Sequence, residues 1–263
     1  MSAMSSSTTP SQACHSADSL ISHLRETVPM LLQTVVEMLV TDFDIDVSLL
    51  RADHCCYRTE TLGEYELLTN SLNLSTEAEL LVEGMIGGRL ISTYQLVDEI
   101  RCWDGHVVET IEIPSPKIGS WYPFGIEHFE FVLLKDDGDD EIFTTKNSTG
   151  HKSKLEKYTL KHEKATWIMK DINKELNPDV SIKLPSSNGQ TMTVKFHLIA
   201  LEQVISYEIA NGFAVAPPLN KIVATWETKL ASDIMKSYKV RDDESKPFIV
   251  GIVGFPGKLI FGF

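Results

Sequence analysis

Apolar residues near the N-terminus recur at the spacing of an amphipathic helix. From Ser19 onward they fall three or four positions apart, so one face of a helix would be apolar and the other polar. These apolar positions are Leu20, Leu24, Val28, Leu31, Leu32, Val35, Val36 and Leu39. Pro29 lies within the run and predicts a split or a kink, because proline lacks the amide donor of a helical turn. We expect this helix to cover one face of a sheet.

The pattern then changes to short apolar runs typical of strands, interrupted by one helical stripe. Thr61 and Glu64 have the spacing of a capping box, which marks the start of a helix. Gly87-Gly88 suits a tight hairpin turn, because glycine tolerates positive φ. The predicted elements, in order, are a strand at Asp53–Arg58, a helix with Tyr65, Leu68 and Leu72 on one face, strands at Leu80–Ile86 and Arg89–Leu96, and a strand at His106–Ile113.

A comparable succession begins again at Glu127. From the histidine to the hairpin turn is 33 residues in the first unit (54 to 87) and 60 in the second (128 to 188). The difference is close to the length of a polar segment, which we interpret as an insertion. The predicted elements are a strand from Glu127 to Leu134, the insertion Lys135–Thr159, a helix marked by Trp167, Ile168, Ile172 and Leu176, strands at Val180–Leu184 and Met192–His197, and a final helix with Leu201, Val204, Ile205 and Ile209 where the first unit has its fourth strand.

Both units open with an acidic residue followed by a histidine, Asp53-His54 and Glu127-His128. A unit of strands and one helix that occurs twice predicts an α+β fold with two half-sites that face each other in one cleft. Because side chains alternate along a strand, the neighbours of each histidine divide between the two faces. The predicted cleft-facing residues are His54, Cys56, Arg58, His128 and Glu130, and those facing away are Asp53, Cys55 and Tyr57.

Composition shifts divide the chain into three parts. Residues 1–17 are rich in serine and threonine and are predicted to be disordered, 18–210 form the duplicated domain, and 211–263 are a linker, a helix and a strand. The segment Gly254-Phe255-Pro256-Gly257-Lys258 is similar to the opening of a P-loop. Its spacing departs from that motif, and Leu259 stands where serine or threonine is required. We interpret it as a truncated P-loop-like strand or an ordinary terminal strand, and assign no ATP binding.

Charge and cysteine usage exclude several classes of protein. A formal net charge of −13 argues against nucleic-acid binding, which needs a basic face. No apolar run is long enough to span a membrane, and no signal peptide is apparent before Arg25. The four cysteines, Cys14, Cys55, Cys56 and Cys102, lack paired metal spacing and are predicted to be reduced thiols. We therefore expect a cytoplasmic protein whose partner is a small molecule, and a dimer stays open.

Five blocks of sequence resemble the YecM-like family of the vicinal-oxygen-chelate superfamily, which includes glyoxalases, extradiol dioxygenases and bleomycin-resistance proteins. The blocks are Asp53-His54 with Arg58, Glu83–Ile91, Ile111–Pro116, Gly125–Glu130 and Val194–His197. The resemblance covers roughly residues 20–210 and implies paired βαβββ modules that form a curved mixed sheet around a metal-type cleft. The reaction of the YecM-like branch is unknown, so the resemblance informs the fold and the site more than the substrate.

The resemblance also implies where metal ligands lie, on the first and last strands of each module. Carried over to this chain, it marks His54, Glu112 and His128. The fourth position has no clear counterpart, and Glu130, His197 or a water are the alternatives. Two imidazoles and a carboxylate suit a borderline divalent ion such as Zn, Ni, Fe or Mn.

Other polar residues near these positions complete the predicted site. Arg58 and Arg89 are candidate anchors for an anionic substrate, or else structural partners, since a guanidinium suits carboxylate and phosphate groups. Glu112 or Glu130 would transfer the proton if the cleft raised its pKa. A salt bridge between Glu130 and Arg58 is the structural alternative, as a satisfied strand histidine is for His54 and His128.

The function that we expect is metal binding or metal-dependent catalysis, of lyase, isomerase or dioxygenase type, on a small oxygenated molecule. A bound ion would stabilise negative charge on an enediolate-like oxygen. The alternatives are a non-catalytic ligand-binding module and the regulatory half of a truncated P-loop kinase fusion.

Overall fold

The computed structural model describes residues 14–86, 88–103, 105–117, 124–133, 148–185 and 191–212. Within these residues the chain has the expected α+β fold, with four helices and a seven-stranded mixed sheet. The elements in chain order are α1 (Ala17–Phe43), β1 (Arg51–Arg58), α2 (Leu62–Leu74), β2 (Ala78–Ile86), β3 (Arg89–Arg101), β4 (Val107–Pro114), β5 (Gly125–Val132), α3 (Ser148–Lys161), β6 (Asp179–Pro185), β7 (Thr191–His197) and α4 (Leu201–Ala210).

Helix α1 forms as its apolar spacing predicts. Ser16 and Ser19 make reciprocal capping contacts at its start, and Asp44 ends it in the left-handed conformation with φ 55°. The predicted apolar positions are buried or partly buried in the main core, together with residues of α2 and one face of the sheet. Pro29 lies inside the helix and does not split it. None of the helices in the described part of the chain is both long enough and apolar enough to cross a membrane.

The sheet consists of two related halves that meet at β1 and β5. The strand order is β2-β3-β4-β1-β5-β7-β6. In the first half β1 is parallel to β4, and in the second half β5 is parallel to β7. Strands β1 and β5 are antiparallel, and the pairs His54–Glu130 and Cys56–His128 lie on either side of Cys55–Phe129. Residues 54 and 128 are therefore equivalent in the two halves, and so are residues 56 and 130.

This topology corrects the alignment of the two units. The hairpin of β6 and β7 was predicted to correspond to β2 and β3, leaving the fourth strand missing. Strand β7 instead takes the position of β4, because each is the parallel neighbour of the first strand of its half. Among the described residues the second half lacks the counterpart of β2. A single bridge from Ile168 to Ser181 lies beside β6, where that outer strand would pair.

The prediction for the helix of the second unit is wrong. The helix is α3, Ser148–Lys161, which begins inside the segment that we interpreted as an insertion and ends two residues after it. Trp167 lies in irregular structure and Ile172 in a turn instead, and Trp167 packs edge-on against Tyr158 and Phe196. Helix α3 is mostly polar. Its Leu155 is fully buried, but the helix lacks the repeating apolar stripe on which the prediction relied.

The folded structure extends slightly past the predicted N-terminal boundary of the domain at residue 18. Cys14 is buried, and α1 starts at Ala17. Helix α4 is present as predicted and is followed by a turn at residues 211–212. Residues 1–13 and 213–263, with the predicted linker, terminal helix and P-loop-like strand, lie outside the described residues. Residues 134–147, which include the start of the predicted insertion, and 186–190, with the predicted hairpin turn, also lie outside them.

Candidate metal centre

Four polar side chains meet where β1, β4 and β5 lie side by side. They are the histidines His54 and His128 and the carboxylates Glu112 and Glu130, and one ligand atom from each lies within 4.8 Å of the other three. The sheet face opposite carries Cys55 and Phe129, which are fully buried in the main core beneath the helices. The predicted alternation is therefore confirmed for His54, His128 and Glu130, which share the face away from that core.

The spacing of the four ligand atoms suits one cation. Nε2 of His54 lies 3.4 Å from Oε1 of Glu130 and 3.6 Å from Oε2 of Glu112. Nε2 of His128 lies 3.1 Å from Glu130 and 3.9 Å from Glu112. A tetrahedral ion with bonds of about 2.1 Å holds its ligand atoms about 3.4 Å apart. The observed distances are scattered around that value.

The Nε2 atom of His54 is left without a hydrogen bond. It is buried and has no hydrogen-bond partner among the described residues, although three electron-rich groups surround it. Buried polar atoms in native proteins are almost always satisfied, so an exception needs an explanation. A bound cation would satisfy this nitrogen, and the donor set therefore fits a divalent metal.

An acidic residue stands behind each histidine. Oδ2 of Asp53 lies 2.9 Å from Nδ1 of His54, and Oε2 of Glu127 lies 4.0 Å from Nδ1 of His128. Both acids sit at β-bulges, where the pairing of β1 with β5 shifts register. The prediction that Asp53 faces away from the site is wrong for this reason, since simple alternation does not hold at a bulge. Carboxylates in this position orient ligand histidines in metal sites.

Asp53 also connects the site to α4. Its two carboxylate oxygens accept hydrogen bonds from the backbone N–H of Leu201, at 3.2 and 3.1 Å. Ala200, the residue before α4, offers no side-chain cap of its own. The carboxylate of Asp53 therefore caps the helix from β1, and the same contacts hold it beside His54.

A lysine completes the cluster. The ammonium of Lys195, on β7, forms an ion pair with Oε1 of Glu130 and donates a hydrogen bond of 3.3 Å to Nε2 of His128. Because the ammonium donates to Nε2, a neutral His128 has its lone pair on Nε2 and its ring hydrogen on Nδ1, which faces Glu127. Without a metal, Lys195 supplies the positive charge that two electron-rich atoms only 3.1 Å apart require.

The pKa shifts describe a charge-balanced cluster. Burial disfavours the charge on Glu112, but His54 outweighs it and lowers the pKa of Glu112 to about 2. Burial is likewise outweighed at Glu130, where Lys195 and His54 hold the pKa well below its usual range. The two carboxylates in turn raise the pKa of His54 well above its ordinary value against the effect of burial. The two carboxylates thus favour a proton on His54, although its Nε2, at 3.6 and 3.4 Å from Glu112 and Glu130, forms no hydrogen bond with either. Lys195 supplies the other positive charge beside Glu130.

The remaining predicted residues have other partners. Arg58 forms an ion pair with Glu127, and Nη1 of Arg89 donates to the backbone oxygen of Ser115 at 3.5 Å. The predicted alternative of a Glu130–Arg58 salt bridge is wrong, because Lys195 pairs with Glu130. His197 is fully buried behind Glu130, with Nδ1 2.6 Å from the backbone oxygen of Ile199 and Nε2 3.5 Å from Oε2 of Glu130.

Cys56 is a weak candidate ligand. Its thiol lies 3.8 Å from Glu127 and belongs to a second group with His128. Burial, followed by the charges of Glu127 and Glu112, raises its pKa well above the ordinary value. The thiol therefore stays protonated, whereas metals bind the thiolate. All four cysteines of the chain are free and buried.

Sequence reasoning missed Lys195 and the orienting roles of Asp53 and Glu127. The signal for Lys195 was the pattern Val194-Lys195-Phe196, which matches Ile111-Glu112-Ile113 when β7 is aligned with β4. The alignment of β7 with β3 concealed this match.

Comparison with known proteins supports the fold. A solved structure described as "Structural Genomics, Protein EC4020" is similar to this chain, with 19% identity and a TM-score of 0.53. The match covers 72% of this chain and 92% of that chain, and at this identity it shows a shared fold. No curated protein matches the chain. The family model described as YecM protein matches residues 21–208, which is more than half of the sequence, and the chain therefore belongs to the YecM family.

Proposed function

We propose that this chain binds one divalent metal ion through His54, Glu112, His128 and Glu130 and acts on a small oxygenated molecule at that ion. The observation that carries the proposal is the convergence of four ligand atoms within 4.8 Å, with Nε2 of His54 buried and unsatisfied. Two imidazoles and two carboxylates favour zinc, nickel, iron or manganese over calcium and magnesium, which prefer oxygen ligands alone.

The protein would prepare this site before a substrate arrives. Asp53 holds the ring of His54 through Nδ1, so that Nε2 points at the ion. The low pKa values of Glu112 and Glu130 keep both carboxylates ionised at neutral pH, as ligands must be. The ion, when bound, would supply a Lewis acid for two neighbouring oxygens of the substrate, in the manner that the vicinal-oxygen-chelate resemblance implies.

The pKa directions argue against one predicted role. Glu112 or Glu130 was expected to transfer a proton if the cleft raised its pKa, and the structure lowers the pKa of both. A carboxylate with so low a pKa is a weak base at neutral pH. The two residues are better suited to holding the ion. The same observation favours the second candidate, a module that binds a ligand at the metal without converting it.

The test is metal binding by the purified protein. We expect about one equivalent of metal by elemental analysis, or binding of zinc, nickel, iron(II) or manganese after treatment with a chelator. The variant His54→Ala/His128→Ala should lose this metal, because half of the ligand set is removed. His151→Ala, which changes a histidine on α3, is the matched control and should keep it. Stoichiometric metal in the double variant, or none in the wild type under any of these conditions, would overturn the proposal.

A further inference from the structure

Lys195 occupies a position that the symmetry of the sheet assigns to a ligand. Cys56 is two residues after His54 and pairs with Glu112 on β4. Glu130 is two residues after His128 and pairs with Lys195 on β7. Lys195 is therefore the counterpart of Glu112, and the second half carries an ammonium where the first half carries a carboxylate.

The contacts of Lys195 place it against the coordination sphere. Its ammonium pairs with Oε1 of Glu130 and donates to Nε2 of His128, and each of these atoms belongs to the proposed ligand set. A metal ion bound to these two atoms would lie close to the ammonium of Lys195. Like charges within about 4 Å repel strongly in a buried site, so the ion and the ammonium cannot both keep full contact with Glu130 and His128. The side chain of Lys195 is 25% exposed, against 2% for His54, so the lysine lies at the open side of the cluster.

The balance of charges in the cluster changes when the ion enters. In the metal-free cluster the ammonium of Lys195 pairs with Glu130, beside the second carboxylate, Glu112. A divalent ion held by Glu112 and Glu130 would balance the charges of both carboxylates by itself. The ammonium of Lys195 is then left without its counter-charge while most of its side chain is buried, which is costly. One negative charge on the incoming ligand would restore the balance.

Building on the proposed function, we propose that Lys195 and the metal compete for Glu130, and that Lys195, once displaced, contacts an anionic group of the ligand. The ligand class is a small organic anion that offers two neighbouring oxygens to the ion and its negative charge to Lys195. Lys195 would thus weaken metal binding in the free protein and strengthen binding of the anion to the metal-loaded protein.

The test measures two affinities that should change in opposite directions. Zinc affinity is measured by competition with a chelator, and oxalate binding to the zinc-loaded protein by calorimetry. Lys195→Met should bind zinc at least about tenfold more tightly, because the competing cation is gone, and oxalate at least about tenfold more weakly. Lys195→Arg keeps the charge and should stay closer to the wild type in both measurements.

The outcomes separate this inference from the proposed function. A variant that merely folds poorly would weaken both affinities, so opposite changes cannot come from damage to the fold. If the wild type binds zinc and Lys195→Met binds it no more tightly, or binds oxalate as well as before, the role of Lys195 is wrong and the metal centre stands. If neither the wild type nor either variant binds zinc, the proposed function itself is wrong.

Discussion

The two halves of the sheet have matching backbones and different chemistry. The first half offers His54, Cys56 and Glu112, and the second offers His128, Glu130 and Lys195 at the equivalent positions. Only the histidines are the same in both. The two carboxylates come from non-equivalent strands, one from a last strand and one from a first strand. A symmetric frame can therefore bring ligands to one point while leaving one flank with a thiol and the other with an ammonium.

The comparison shows how a single ion can be placed at a pseudo-symmetric interface. If both halves placed the same residues at the equivalent positions, the two flanks of the site would be alike and a substrate would have no preferred orientation. Here the ammonium of Lys195 lies on one flank, so a bound anion would have a defined direction. The asymmetry also appears behind the histidines, since Asp53 touches its histidine at 2.9 Å and Glu127 stands 4.0 Å from its own.

The largest expected difference in zinc affinity is between a variant of Glu130 and a variant of its counterpart, Cys56. Glu130→Gln removes a charged ligand, and we expect zinc affinity to fall by about 100-fold or more. Cys56→Ser replaces a thiol that is protonated in the free protein, and zinc affinity should stay within about threefold of the wild type. Both are measured by chelator competition, with unfolding curves to show that each variant is folded. Equal losses in the two variants would mean that Cys56 is a ligand.

A smaller effect should distinguish the two acids behind the histidines. Asp53→Asn removes the charge that orients His54 but keeps an oxygen to cap α4, so zinc affinity should fall by about 10- to 100-fold with little loss of stability. Glu127→Gln should lower zinc affinity by less than about fivefold, because its carboxylate lies farther from His128 and also pairs with Arg58. The reverse order would show that the orienting contact is made in the second half.

The smallest expected difference is in the titration of the equivalent histidines. The carboxylates raise the pKa of His54, whereas burial and then Lys195 lower the pKa of His128. Nuclear magnetic resonance of the metal-free protein should therefore show His54 protonated well above its ordinary range and His128 neutral at the same pH. His54→Ala and His128→Ala would assign the two signals. Titration of both rings at one ordinary pKa would contradict the charge-balanced cluster.

The raised pKa of His54 fixes the sign of two pH effects. Its protonation contributes stability to the metal-free protein below the unfolded pKa of about 6.5, and this contribution disappears as the pH rises through the higher folded value. Metal must displace that proton, so zinc affinity should rise with pH, by up to about tenfold per unit for one proton. Zinc affinity that is independent of pH between 6 and 8 would rule out a protonated His54.

The predicted elements succeeded where one local pattern was enough. The apolar face of α1, the order of the strands in the first unit and the final helix α4 all follow from spacing along a few turns or a few residues. The predicted strand Arg89–Leu96 is too short, because β3 continues to Arg101. The helix of the second unit failed because α3 is mostly polar and buries little beyond Leu155. The prediction relied on the apolar residues around Trp167. They pack on the core from turns and irregular structure, without the period of a helix.

The duplicated acid–histidine pair and strand alternation predicted two facing half-sites with His54, His128 and Glu130 in the cleft, and the family resemblance added Glu112. Which strands are equivalent, which acids turn toward their histidines at the bulges, and which cation faces Glu130 were decided by the tertiary structure. The physical reason is that these contacts join strands far apart in sequence, as with Glu130 and Lys195. Local periodicity specifies the face on which a side chain lies, but only the register between distant strands specifies what it meets there.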